Sequence, residues 1–143
     1  MQTQTAESFT QEWFRRVWND PEPGAIEQLM AADSRAHGLG PAALKGPAEF
    51  MALHAAFNAA FRSIHIEVLR EVQNGDMCAA FCHATMISRA TGKTVSFHGC
   101  PMIRVKDHQI VEAWNTWDFL GLAESIGAAP AGGLQRALAV ALH

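Results

Sequence analysis

The chain has 143 residues, 49% of them hydrophobic and 17% charged, a balance that excludes a wholly disordered chain and suits one domain with a sizeable core. With 11 Lys and Arg against 14 Asp and Glu the formal net charge is −3, and the basic residues form neither run nor stripe, which argues against a nucleic-acid partner. No stretch approaches the roughly 20 apolar residues of a bilayer-crossing helix, and Met1 to Ser8 lacks the basic-then-apolar order of a signal peptide, so a cytoplasmic protein without a membrane partner is expected.

The first element reads as a helix from Glu7 to Trp18, with Phe9, Trp13 and Val17 recurring every four residues on one apolar stripe. Asn19-Asp20-Pro21 and Pro23 stop it, because proline disfavours helical backbone in the residue before it. A short helix fits Ala25 to Ala32, with Ile26, Leu29 and Met30 inward. The stretch from Asp33 to Gly46 is loop-like, with room for a brief strand at Ser34 to His37. Pro47 suits the first position of a third helix, where its missing N–H costs nothing, and that helix runs to about Phe61. Its apolar face carries Phe50, Phe57 and Phe61, with His54 among them.

The period then changes. Ile64, Ile66, Val68 and Val72 alternate with His65, Glu67 and Glu71, the pattern of a half-buried strand. Asn74-Gly75-Asp76 turns the chain into a long strand, Met77 to Arg89, apolar on both faces apart from His83. Thr91-Gly92-Lys93 leads to a strand from Thr94 to Val105, and Lys106-Asp107-His108 to a last one from Gln109 to Trp117. Helices followed by an antiparallel meander are the signature of an α+β fold. Asp118 caps a short helix that Gly127 ends, and Ala128 to Gly133 is a small-residue linker. Leu134, Leu138 and Leu142 then share one stripe of a helical tail. The expected organisation is a domain over 1–127 and a linker and tail over 128–143.

Three cysteines, Cys78, Cys82 and Cys100, are an odd number with no C-x-x-C pair, which argues for buried thiols over a disulfide framework or a metal site.

The sequence resembles the SnoaL-like polyketide cyclases of the nuclear-transport-factor-2-like superfamily. Four stretches carry the likeness: Trp13 to Asn19; Phe57 to Phe61 running into Ile64 to Val68; Asn74-Gly75-Asp76; and, most specifically, Ile110 to Leu122. Together they span roughly residues 9 to 127 in the expected order. The resemblance implies a cone-shaped α+β barrel, a curved antiparallel sheet that encloses a pocket with the N-terminal helices. It also implies a homodimer formed through the outer sheet face, where Trp114 is expected to help, and no cofactor.

Cyclases of this kind place an acidic residue on the last strand opposite a histidine on the strand before. Matching Ile110 to Leu122 with that pattern puts Asn115 at the acid and Pro101 at the histidine, so both depart from it. An amide exchanges no protons at ordinary pH, although it donates and accepts hydrogen bonds. Asn115 is therefore expected either to orient a carbonyl or hydroxyl of a bound compound or to be a buried amide satisfied by backbone. His54 and His37 are the candidate proton carriers, since imidazole titrates near neutrality. Against those roles stand a hydrogen-bonded core residue for His54 and an ordinary loop histidine for His37. Trp13, Val17, Phe50 and Phe57 are expected to wall the pocket and bind substrate, with Phe61, Pro101 and Trp117. Unbroken alternation aims His98 outward unless a bulge near Pro101 reverses it. Asp118 reads as a helix cap, and His65, His108 and His143 as surface residues.

The expected function is proton-transfer chemistry, of cyclase, isomerase or lyase type, on a small hydrophobic carbonyl or polyketide-like ligand. The alternative is a non-catalytic ligand-binding or dimeric interaction module. No tyrosine is present, so mechanisms that use a tyrosine hydroxyl as donor are excluded.

Overall fold

A computed structural model describes residues 6–142; the readings made for Met1 to Thr5 and for His143 lie outside them. Helix α1 spans Phe9–Phe14 and is opened by Ser8, whose Oγ accepts from the Gln11 N–H while the Gln11 side chain accepts from the Ser8 N–H. That reciprocal pair satisfies two of the helix's orphan donors. The helix then widens into a π turn, Arg15–Asn19, closed by the Asp20 N–H on the Arg15 carbonyl at 2.8 Å. Pro21 is the reason the usual ladder cannot continue. It has no N–H to offer the Val17 carbonyl four residues earlier. Asn19, at the end of the turn, clamps the neighbouring strand with both halves of its amide, to the Ile66 carbonyl at 2.9 Å and from the Ile66 N–H at 2.7 Å.

Helix α2 is Ala25–Leu29, shorter than expected. At Met30 the chain passes into strand β1, Met30–His37, whose pairing with the last strand outweighs the local helical pattern. Strand β2 (Leu44–Lys45) is followed by α3 (Gly46–Ala60), then β3 (Phe61–Asn74) and β4 (Met77–Ser88). The strand expected over Thr94 to Val105 is broken in two, β5 (Thr94–Gly99) and β6 (Met102–Lys106). Both halves run along β4, β5 against Cys82 to Ile87 and β6 against Met77 to Ala79. The break falls at Cys100-Pro101, where Cys100 donates across to Thr116 at 2.7 Å and proline has nothing to donate. Strand β7 is Gln109–Trp114, followed by α4 (Phe119–Ser125), capped by Asp118 Oδ1 on the Gly121 N–H at 2.9 Å, and α5 (Gly133–Ala141).

The seven strands form one curved, unclosed sheet in the order β2-β1-β7-β6-β4-β3, with β5 beside β4. The expected antiparallel meander is present from β3 to β7. One pair differs: β1 lies parallel to β7, His37 opposite Trp114. The turn into β7 holds Asp107 and His108 at φ of 52° and 57°, the left-handed backbone of a tight hairpin turn. His108 is anchored there by an Nε2 contact with Glu12 at 2.8 Å.

Along β4, Cys78, Ala80, Cys82, Ala84 and Met86 alternate inward and are buried, while Phe81 and His83 face out. A bulge at Val111, where β6 Arg104 and Val105 pair with Glu112 and Ile110, lets Ile110 and Ala113 both face inward despite their odd spacing. No helix among the described residues is long and apolar enough to cross a membrane. No three or more His, Cys, Asp or Glu side chains among them gather where a metal could be held.

Candidate functional site

Between the inner sheet face and the helices lies a cavity of about 80 Å³, room for several waters or one small organic molecule. Its existence follows from side-chain size. Three strands present alanine to it, Ala36 on β1, Ala84 on β4 and Ala113 on β7, where longer side chains would close the space. The helices supply the opposite wall with Trp13, Phe14 and Trp18 from the first helix and its π turn, and Phe50 and Phe57 from α3. These rings meet edge-on, Trp13 against Phe50 at 5.3 Å and Trp18 against Phe57 at 5.7 Å between centroids. Such contacts hold a wall of large rings in fixed orientation.

Asn115 lines this cavity, just beyond the end of β7. Its Nδ2 donates to the His37 carbonyl at 3.1 Å, and its Oδ1 accepts from Trp117 Nε1 at 3.4 Å. An amide has two N–H donors and two acceptor lone pairs, so one of each remains for a bound molecule. The backbone beneath is tightly packed. A Cβ on Gly38, where φ is +86°, would lie 1.9 Å from the Asn115 carbonyl oxygen, so only glycine lets β1 and β7 meet here. Trp117 rests on Gly99 in the same way, where a Cβ would lie 2.2 Å from the indole.

Of the residues expected to wall the pocket, Trp13, Phe50, Phe57, Pro101 and Trp117 do line it. Val17 and Phe61 do not. Val17 is core beneath the π turn, and Phe61 edges a separate shallow crevice between α3 and α4. The two histidines also lie outside the cavity lining. His54 Nε2 donates to the Val17 carbonyl at 2.7 Å, the acceptor that Pro21 leaves without a partner, and the ring packs on Trp18 at 4.6 Å. His37 follows inward-facing Ala36 and so points to the other side of the sheet, with Nε2 2.8 Å from Glu112 and its ring stacked on Trp114 at 5.9 Å. His98 faces outward as alternation predicts, between the rings of Phe81 and His83.

Sequence reasoning missed Thr10, Trp18 and Phe119 on the helical elements and Met30, Met86 and Phe97 on the strands. For Phe97 and Met86 the signal was present, since both are inward positions of their strands. For Trp18 it was hidden, because the π turn shifts the stripe that regular helical spacing would give. Among the lining residues none is an Asp, Glu, His, Lys, Arg or Cys. Just behind the wall, burial and the neighbouring Glu71 push the Cys78 thiol up to about 11, and burial pushes Cys82 up to about 12.

The sequence model of the SnoaL-like polyketide cyclases matches residues 9–126. The chain belongs to the SnoaL-like polyketide cyclase family. Similar solved structures include AclR of Streptomyces galilaeus, a proposed hydroxylase (TM-score 0.75, 21% identity, 85% of this chain and 95% of that one). A SnoaL-like protein from Jannaschia sp. CCS1 gives a TM-score of 0.75 at 17% identity, over 91% of this chain and 100% of that one. IdmH of Streptomyces antibioticus, a proposed polyketide cyclase, gives 0.73 at 21%, over 83% and 96%. At these identities the likeness establishes the fold. A comparison with curated proteins found no match. Within this SnoaL-like chain the matched region ends at the last turn of the domain, and α5 lies beyond it.

Proposed function

We propose that this SnoaL-like protein binds a small, mostly apolar carbonyl compound of the polyketide kind and promotes its cyclisation or isomerisation by holding it in a reactive shape. The observation that carries this reading is the wall itself: aromatic and aliphatic on nearly every side, with the Asn115 amide turned into it and half of its hydrogen-bonding capacity free. Asn115 orients the oxygen of the bound compound. Enclosure by fixed rings supplies the rest, because confining a flexible chain near its reactive geometry removes entropy before the chemical step.

Proton transfer by His54 or His37 fits this arrangement less well, since one is held by a backbone carbonyl and the other lies across the sheet. The same absence of titratable groups in the wall favours a second reading, a non-catalytic carrier of such a compound. Turnover separates the two. A panel of linear and monocyclic polyketide-like ketones is incubated with the protein and products are followed by mass spectrometry. Accelerated ring closure that Asn115→Ala reduces by about tenfold or more supports the enzyme. Tight binding with no acceleration for any ketone supports the carrier.

We also propose that the outer sheet face pairs with a second copy. Val72, Phe81 and Met102 stand 71%, 43% and 40% exposed there, an unusual apolar display for a surface that meets only water. A single-chain mass in solution from light scattering would refute it.

A further inference from the structure

Deepening the small-molecule reading, and resting on it, a second polar group faces the cavity. Thr10 on α1 lines it, and behind Thr10 runs a short chain of hydrogen bonds that ends at Glu71 on β3. Glu71 accepts from the Ser8 hydroxyl at 2.8 Å and from the Cys78 thiol at 2.9 Å. Thr10 Oγ1 lies 3.2 Å from Cys78 Sγ.

The chain has a fixed direction. A carboxylate has only acceptors, so Glu71 takes the one hydrogen that Cys78 possesses. The thiol keeps that hydrogen at neutral pH because burial and Glu71 push its titration up to about 11. With the thiol hydrogen spent, the Thr10–Cys78 contact can be made only by the Thr10 O–H donating to sulfur. What Thr10 then offers the cavity is an oxygen with free lone pairs and no hydrogen. We propose that Thr10 is a specificity-determining acceptor, polarised by Cys78 and Glu71, and that it selects ligands with a hydroxyl or N–H donor at that end.

Its position relative to Asn115 adds a length. Cys78 pairs with Ile103, and Ile103 with Ala113, with Asn115 two residues further along. Two strand spacings across and two residues along put the Cys78 and Asn115 positions of the sheet about 12 Å apart, with Thr10 seated on Cys78. The ligand class is therefore an apolar body with a donor at one end and a carbonyl or hydroxyl about 12 Å away at the other. Thr10 touches the ligand; Cys78 and Glu71 are positioning residues.

Three naphthalenes of similar size test this by fluorescence titration: 2-naphthol (donor), 2-methylnaphthalene (neither) and 2-acetylnaphthalene (acceptor only). Thr10→Val, an isosteric change, is expected to weaken 2-naphthol by about 5- to 10-fold and to leave the other two within about twofold. Thr10→Cys, a poorer acceptor of similar size, gives the same pattern if Thr10→Val does not fold. Thr10→Ser restores the preference. Cys78→Ala frees the Thr10 hydrogen to turn inward, so 2-acetylnaphthalene gains affinity in that variant, and Thr10→Val added to it removes the gain. A merely structural role for Cys78 would shift all three probes together. Equal affinity of wild type and Thr10→Val for 2-naphthol, with all probes competing for one site, overturns the proposal and leaves the cavity reading standing. Failure of all three to bind wild type removes the cavity reading and this proposal with it.

Discussion

The carbonyl of His37 receives two hydrogen bonds from Asn115, one from its main-chain N–H at 2.9 Å and one from its side-chain amide at 3.1 Å. A carboxylate at this position would set oxygen against oxygen. Asn115→Asp, which installs the acid that the cyclase pattern carries, is expected to favour its protonated form in the folded state, so its pKa rises on folding. The sign follows: stability is full below the ordinary carboxylate pKa near 4 and is lost as pH rises through the raised folded value. Thermal melts from pH 4 to 8 should show Asn115→Asp close to wild type at the acid end. At pH 8 it should be about 1–3 kcal/mol less stable, the cost of a buried group left unpaired.

Gly38→Ala is expected to cost at least about 2 kcal/mol, from left-handed backbone that alanine resists together with a steric conflict. The conflicting atom is the Asn115 backbone oxygen, 1.9 Å from the new Cβ, and it cannot rotate away. Gly40→Ala is the control, since nothing lies within 4 Å of its added Cβ and its φ lies outside the left-handed range. Urea unfolding of the pair should separate them clearly.

His54→Phe keeps a ring against Trp18 but leaves the Val17 carbonyl without its donor. A loss of about 1–3 kcal/mol in unfolding free energy is expected. Because His54 lies outside the cavity lining, the affinity of a cavity ligand should change by less than about threefold once the protein is folded. A large loss of turnover at unchanged affinity would instead return His54 to the list of proton carriers.

Much of this architecture was legible before any coordinates. The change from a four-residue to a two-residue apolar period near Ile64 and the Asn74-Gly75 turn each specify an element by local chemistry alone, while the Ile110 to Leu122 run was legible through the family resemblance. What escaped was set by partners distant in sequence. The first half of β1 reads as helix end and loop, with only Ser34 to His37 allowed as a brief strand, because its pairing with β7 is unseen locally, and the width of the π turn depends on where Pro21 leaves a carbonyl bare. The cavity wall was legible where large aromatics stand at regular spacing. It was not legible at Ala36, Ala84 and Ala113, whose contribution is the volume that they leave empty. His54 was placed on the right helix face but could not be assigned its acceptor.

Alkaline pH should destabilise the fold through its buried thiols. Cys78 and Cys82 titrate near 11 and 12 in the folded state, above the ordinary thiol value of 9.0. Their raised values mean that stability is intact below about pH 9 and falls as pH rises toward 11, since the unfolded chain releases these protons first. In urea melts between pH 8 and 10.5, Cys82→Ala should show a shallower decline than wild type.

Removing residues 128–143 should leave the domain intact. Helix α5 buries no side chain, and Leu138, Val140 and Leu142 are mostly exposed. A melting temperature within about 2 °C of the full chain is expected, as for other changes that remove little burial. A larger drop would show that the helix packs on something.

The parallel pair β1 and β7 has a further consequence, for the order of assembly. Residues Met30–His37 have only the two-residue β2 to pair with until Gln109–Trp114 has left the ribosome, so the chamber's Ala36 side stays open through most of synthesis. Contacts this distant along the chain are slow to close, because the intervening loop must lose its freedom first. A nascent chain halted before β7 would hold β3 to β6 as one piece of sheet and β1 with β2 as another, with no strand joining them, and the ability to retain a small molecule would arrive in a single late step.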